Sequence, residues 1–438
     1  MTGVGSDEAG AVAARRRWRD DLALVRERNL ALVLVSRLAS DLGTGMAPIA
    51  LAFGVLALPG AGAGELGLVL LCAALPRVLL MLVGGVLADR VRNRARLMAV
   101  AEGAAMAAQL GAALLFLTGR ASVGALATLA VVNGTAVALF YPAMTGLVPQ
   151  LAQGEALQSA NALIRLSTNL AGILGTALGG VLVAAVGAGW ALLVDSATYA
   201  VSAALLLLVR PGERVPDAVE RATSMLADLL HGWREFTSRR WVWLLVVLFS
   251  LSNFGFTAAI GVLGPVQSLQ SYDGARSWAA IMATFSLGTL VGVLVAMRLR
   301  PRRPLRTALL AELVVALPVL ALSVPAPVPV VVALAFVSGV GVDVFEVLWQ
   351  TALQQHVPGE SLSRVSAYDW FGSLALTPVA LALAGPLAAA VGLGPAIAIC
   401  GGLGALSCLA LLDPQVRGLR AGVEGAAPGP AAAHVADA

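Results

Sequence analysis

Apolar positions in this chain do not recur as stripes between charged faces. They run almost unbroken for ~20 residues at a time, the length an α-helix needs to cross ~30 Å of hydrocarbon. The runs fall near residues 30–58, 66–88, 95–118, 122–146, 157–185 and 189–209, then 241–269, 277–299, 305–324, 327–350, 367–390 and 393–412. The pattern predicts an all-α integral membrane protein with twelve transmembrane helices. The first run is too long for a signal-peptide core and is read as a retained span. Between the sixth and seventh runs, Leu226, Leu229, Leu230, Trp233 and Phe236 recur at helical spacing, while Asp228, Arg234 and Glu235 take other faces. That pattern predicts an interfacial helix.

Two short patterns recur about 210 residues apart. Ser40-Asp41-Leu42-Gly43 returns as Ser252-Asn253-Phe254-Gly255, and Val148-Pro149 with Gly154-Glu155-Ala156-Leu157 returns as Val357-Pro358 with Gly359-Glu360-Ser361-Leu362. Duplicated bundles place substrate sites between repeats, so two pseudo-symmetric six-helix halves are expected. The organisation predicted is a cytoplasmic N-terminal segment (1–29), an N-terminal half (30–209), a cytoplasmic linker carrying the interfacial helix (210–240), a C-terminal half (241–412) and a disordered cytoplasmic tail (413–438).

Composition agrees with the bilayer as solvent: of 438 residues, 59% are hydrophobic and 12% charged. Lysine is absent, so every cationic side chain is Arg apart from histidine. This excludes a Walker A phosphate loop and Schiff-base chemistry, both of which need an ε-amine. Cys72, Cys400 and Cys408 sit in apolar runs, and His231, His356 and His434 fall in predicted loops or the tail. Neither set has metal-ligand spacing, and no cofactor, metal or catalytic constellation is expected. Arginines cluster before the first span, at Arg90 to Arg96, from Arg210 to Arg240, from Arg298 to Arg306, and at Arg364, Arg417 and Arg420, leaving only Arg120 and Arg276 for the opposite side. The positive-inside rule then predicts both termini in the cytoplasm.

Ionisable side chains inside hydrocarbon are costly and mark function by default. Asp41 and Arg77 each lie about eleven residues into their spans, near the midplane at 1.5 Å per residue, and are expected to pair across adjacent helices. Asp343 and Glu346 share a helical face and form a second proton-coupling candidate. Arg165 and Asp195 are further embedded charges, whereas Glu102 and Glu312 are expected nearer the cytoplasmic ends as interfacial partners of arginines. Asn133, Tyr141, Asn161, Arg165, Asn253, Trp349 and Gln350 are candidates for cargo contact.

The stretch from Gly84 to Arg96 resembles the signature of the major facilitator superfamily between its second and third spans. Gly85, Asp89 and Arg90 match, and Arg92, Arg94 and Arg96 continue the basic run. The resemblance implies a gating motif of Gly85, Asp89, Arg90 and Arg94, with Asp89 docking near Ser363–Ser366. Its counterpart in the second half, Gly292 to Arg298, keeps Arg298 but has Ala296 at the acidic place. Gly175, Gly179 and Gly180 are similar to a glycine run of drug/proton antiporters, with Ala171 and Thr176 replacing a Gly and a Pro. Arg37-x-x-Ser40-Asp41-x-Gly43, Leu75-Pro76-Arg77 and Pro149 with Ala160-Asn161-Ala162-Leu163 are similar to the branch containing enterobactin exporters and macrolide efflux proteins.

What this implies is a monomeric, multi-pass transporter of the cell inner membrane. It would export small hydrophobic or amphipathic molecules by proton antiport, using the proton gradient and no nucleic acid. Nutrient uptake on the same fold, a non-transporting receptor or assembly partner, and a membrane enzyme are the competing readings. Asp41 and Asp343 speak against a receptor, and the absence of a metal, Ser/His/Asp or phosphate-binding constellation speaks against an enzyme.

Overall fold

The computed structural model describes residues 27–91, 93–152, 155–210, 233–299, 301–324, 326–357 and 359–420, with backbone alone over 81–90, 155–159, 359–364 and at 146, 161, 162, 367 and 370. The side chains of Gly85, Asp89 and Arg90, those of Asn161, Ser363 and Arg364, the Leu226–Leu230 part of the linker and the two tails lie outside the described residues.

Without water to satisfy backbone N–H and C=O groups, apolar runs in hydrocarbon close their hydrogen bonds internally as helices. Six helices come first: α1 (Arg28–Leu56), α2 (Ala63–Arg90), α3 (Arg94–Leu117), α4 (Val123–Leu151), α5 (Glu155–Val186) and α6 (Ala188–Leu208). Then follow α7 (Arg240–Ala258), α8 (Gly264–Ser271), α9 (Ala275–Arg298), α10 (Pro304–Ser323), α11 (Val328–His356), α12 (Gly359–Ala375), α13 (Thr377–Val391), α14 (Leu393–Ala405) and the short α15 (Pro414–Gly418). Twelve helical stretches among the described residues are long and apolar enough to span a membrane, because α7 runs on into α8, the end of α12 into α13, and α14 into a 3₁₀ turn (Leu406–Leu412). The turn joining α7 to α8 is a π-turn, Ala259–Leu263. Pro265 has no N–H to give the Gly261 carbonyl, and the hydrogen-bond ladder widens there.

The chain divides into two compact units. One comprises α1 to α6 with Gly261–Ala283 and Leu381–Ala390, and the other holds the remaining described parts of α7 to α15. Inside the first, α1 packs on α5 and α6, α3 on α4 and α6, and α2 on α4. Inside the second, α10 packs on α11 and α14, and α7 on α12 and α14, which is the same plan. Each unit turns into its last long helix through a glycine in the left-handed region, Gly187 at φ 91° and Gly392 at φ 89°. A Cβ at either would be strained.

Small residues set the helix spacing, since lipid supplies little hydrophobic force between helices. Gly175 lies against the Leu42 carbonyl oxygen, a Cβ at Gly179 would stand 2.8 Å from Met46 Cα, and Gly180 faces Ala279. Gly134 meets the Ala73 carbonyl in the same manner, and Gly288 and Gly339 meet the Phe336 and Phe285 carbonyls in the second unit. Outward positions such as Leu79, Val100, Leu207 and Met297 remain exposed, as lipid-facing side chains do.

Candidate functional site

One helical stripe of α1 carries Arg37, Ser40, Asp41 and Thr44, spaced three or four residues apart, so all four project to one side. The flanks of the stripe are close-packed, with Gly43 against Asp195 and Gly45 against Gly172 and Gly175. The polar stripe borders a cavity of about 220 Å³ within the first unit, between α1, α2, α3, α4 and α6. Its walls are largely apolar, with Ala the commonest lining residue and Leu next, together with Phe140 and Tyr141.

Asp41 is buried and bonded on both oxygens. Oδ1 accepts from Arg37 Nη2, and Oδ2 accepts from Thr168 Oγ1 at 2.7 Å. The expected Asp41–Arg77 pair does not form. The partner is Arg37, four residues earlier on the same helix, because α2 packs chiefly on α4 and carries Arg77 to another wall of the cavity. Arg37 is itself buried and lies over the Phe140 ring at 4.9 Å and near that of Tyr141 at 5.7 Å. Two charges removed from water persist only when paired and hydrogen-bonded.

Glu102 also departs from its expected place at the interface. It is 3% exposed and accepts from Ser40 Oγ at 3.0 and 3.2 Å, placing a second carboxyl within electrostatic range of Arg37. Behind it, Asp195 is fully buried. Its Oδ2 accepts from Gln109 Nε2 at 2.6 Å, and its Oδ1 has no partner among the described residues. Tyr199 OH shares a hydrogen bond with Thr44 Oγ1 at 3.1 Å, and Ser36 Oγ with Ser202 Oγ at 2.8 Å. Hydrogen-bonded side chains of α1, α3, α5 and α6 thus cluster along the polar edge of the cavity and behind it. The Arg37–Asp41 spacing was visible in the sequence as an i, i+4 pair.

Of the expected cargo contacts, Tyr141 and Asn133 line this cavity, and Arg165 stands exposed on α5. Asn253, Trp349 and Gln350 belong to the second unit, and the side chain of Asn161 lies outside the described residues. Trp349 is buried in an aromatic cluster with Trp241 and Phe249 and donates from Nε1 to Asp369 Oδ2 at 3.1 Å, so it serves packing rather than an open surface. Asn253 Nδ2 donates to the Ser373 carbonyl at 3.3 Å, and Gln350 Nε2 to Glu346 Oε1 at 3.0 Å. Asp343 and Glu346 are drawn to different neighbours. Asp343 lies against Gly292 of α9, whereas Glu346 acts electrostatically on Glu312 and Asp369. Glu312, expected at the interface, is buried and accepts from Ser252 Oγ at 2.8 Å. His356, expected in a loop, ends α11 with its ring edge-on to Trp241. Arg94, of the proposed gating motif, is buried at the start of α3, where Asn93 caps the helix by accepting from the Arg96 N–H at 3.0 Å.

Among the described residues no group of three or more His, Cys, Asp or Glu could hold a metal ion. The chain matches the family model described as Major Facilitator Superfamily over residues 30–375. It is 28% identical over 388 residues to the multidrug efflux pump Tap of Mycolicibacterium fortuitum, covering 83% of this chain and 90% of that protein. It is 28% identical over 383 residues to the pump of the same name from Mycobacterium tuberculosis, covering 83% and 87%. In fold it is similar to the nucleoside transporter NupG, with a TM-score of 0.71 at 14% identity over 88% of this chain and 98% of that one. It is likewise similar to a peptide transporter, POT, solved in complex with sulfate, with a TM-score of 0.71 at 13% identity over 90% and 96%.

Proposed function

The chain belongs to the Major Facilitator Superfamily and is thus a multi-pass membrane transporter rather than an enzyme; from that premise we propose that it exports small hydrophobic or amphipathic molecules by proton antiport. The observation that carries this reading is the cavity in the first unit, apolar over most of its wall, with the Arg37–Asp41 pair and Glu102 at its polar edge. Apolar lining with a few convergent polar groups suits an amphipathic guest. Relatives named as multidrug efflux pumps support export as the direction.

Coupling runs through Asp41. When its carboxylate takes a proton, the charge that holds Arg37 disappears, and the guanidinium is left to Glu102 and the Phe140 and Tyr141 rings. A proton entering from the outer side therefore changes the wall that the cargo meets, and its release inside restores the pair. A ligand shifts a two-state equilibrium only by its difference in affinity for the two states, and this rearrangement supplies such a difference. Asp89 of the gating motif is assigned to closing the cytoplasmic side, with Asp343 and Glu346 as auxiliary proton sites. Both termini are placed in the cytoplasm, which reporter fusions after Gly62, Arg120 and Gly274 (external) and near Arg94 (internal) would test.

The decisive experiment uses reconstituted protein. Proteoliposomes with an imposed proton gradient should move an amphipathic dye uphill, and Asp41→Asn should remove the uphill component while dye binding persists. Uphill transport by Asp41→Asn would overturn the assignment of Asp41.

A further inference from the structure

Among the described residues, Arg77 is the cavity-lining arginine that no carboxylate holds. Arg37, the other lining arginine, is bound to Asp41. Arg77 has no carboxylate partner among the described residues, and Asp41 and Glu102 take their electrostatic support from Arg37 instead. Its guanidinium is exposed to the cavity and stands 5.9 Å from the centre of the Tyr141 ring, itself 48% exposed. Asn133, which lines the same cavity, is turned to the Tyr199 hydroxyl and keeps its Nδ2 enclosed, so it is not the group that meets a guest.

Donors without acceptors in an apolar recess call for a guest that brings acceptors. A guanidinium within a membrane span is retained against a large solvation cost, and a planar fork of N–H groups matches a carboxylate or a similar oxyanion. The half-exposed Tyr141 ring, already flanked by Arg37 and Arg77, offers a flat face for an aromatic body. We infer that this cavity selects aromatic amphiphiles bearing an oxyanion group, with Arg77 holding the anion and Tyr141 stacking on the ring. This rests on the export reading only for direction, since the binding chemistry belongs to the cavity itself. The acids at the other edge fit the same picture. Asp41 and Glu102 are occupied by Arg37, Thr168 and Ser40, and so do not compete for Arg77.

The test uses three matched probes, 2-naphthoate, 2-naphthamide and 2-naphthylmethylammonium, titrated by calorimetry into the purified full-length protein in lipid nanodiscs. Wild type should bind the naphthoate at least tenfold more tightly than the amide, and the ammonium least. Arg77→Gln should weaken naphthoate tenfold or more and change the amide by less than twofold, and Arg77→Lys should recover part of the loss. Retained binding of the amide shows that the variant is folded. Should Arg77→Gln fail to fold, Arg77→Met replaces it, with the same loss expected for naphthoate alone. Equal affinity of wild type for naphthoate and amide, or equal loss of both in the variants, would overturn the inference. Proteoliposome assays separate this from the direction of transport. Arg77-dependent naphthoate binding without extrusion overturns export and keeps the site, whereas extrusion of ammonium probes alone keeps export and overturns the site.

Discussion

The first and second units build one element twice. Ser40 of α1 donates to Glu102 of α3, and Ser252 of α7 donates to Glu312 of α10, each a buried serine–glutamate bond between the first and third spans of its unit. Around that shared bond the units part. In the first, Arg37 and Asp41 add an ion pair beside the cavity. In the second, the places that the repeat assigns to them hold Phe249, stacked edge-on to Phe345 at 4.4 Å, and the neutral Asn253. The serine–glutamate bond occurs with and without the pair, so it belongs to the scaffold, and the charge is the specialisation of the first unit. An ion pair costs more to bury than an aromatic of similar bulk. Its presence beside the cavity of the first unit is the reason we propose that unit for proton coupling and cargo binding.

The scaffold half of this comparison breaks most severely at the glycine seams. Gly175→Val puts a side chain into the Leu42 carbonyl, and Gly288→Val does the same to that of Phe336. Backbone on the receiving side leaves no flexible atom to move aside. Both variants should be recovered poorly or not at all as monodisperse protein in detergent, to a similar degree. A tolerant Gly288→Val beside an intolerant Gly175→Val would mean that the units do not share this packing rule.

The next effect separates the units. Arg37→Leu leaves Asp41 and Glu102 buried without their cation and should cost ~3–5 kcal/mol, the penalty for breaking a buried pair from one side. Phe249→Leu, at the corresponding position, loses ring contacts with Phe345 and Trp349 but strands no charge, and should cost less than the broken pair. Thermal unfolding in a fixed detergent compares them. Adding Asp41→Leu to Arg37→Leu should recover stability but not transport, separating the two roles of the pair.

Legibility in the sequence followed the same division. The spans were readable because hydrocarbon tolerates one solution, an unbroken apolar helix, and the repeat surfaced in Ser40-Asp41 against Ser252-Asn253. Asp41 and Arg77 both line the same cavity, and that they are near one another along their helices was readable too. Azimuth was not. Which neighbour a midplane residue meets depends on which helices pack, and α2 packs on α4, so Arg77 went to Tyr141 and Asp41 kept Arg37. Glu102 and Glu312 were misplaced for a related reason. Their position in the spans suggested arginine partners at the interface, and the serines that receive them lie on other helices, out of reach of any local pattern.

A smaller effect compares the two glutamates by function. Glu102→Gln and Glu312→Gln each keep an acceptor for the serine hydroxyl, so both proteins should fold. Glu102 shares Arg37 with Asp41, and its neutralisation should lower gradient-driven transport about tenfold, near ~1.4 kcal/mol of lost coupling. Glu312 has no such partner among the described residues, and its variant should stay within about twofold of wild type, under ~0.5 kcal/mol. Equal losses in proteoliposome flux would make the second unit an equal party to coupling.

The smallest expected effect runs in the opposite direction. Hydrogen bonds between membrane helices contribute ~0.6 kcal/mol on average and up to ~1.7 kcal/mol, which bounds both Ser40→Ala and Ser252→Ala. Ser40 touches both oxygens of Glu102, at 3.0 and 3.2 Å, yet that carboxyl retains the field of Arg37 when the hydroxyl is removed. Ser252 makes a single, shorter bond of 2.8 Å, and among the described residues Glu312 has no cation to fall back on. Losing the hydroxyl therefore leaves Glu312 more poorly solvated than Glu102. Ser252→Ala should fall near the upper bound and Ser40→Ala near the average, measured as the shift in thermal unfolding at constant pH. Combining each with its Glu→Gln partner gives the coupling energy directly. A larger coupling for Ser40–Glu102 than for Ser252–Glu312 would mean that Arg37 does not share the load of Glu102, and the first unit's ion pair would then stand apart from the scaffold bond beside it.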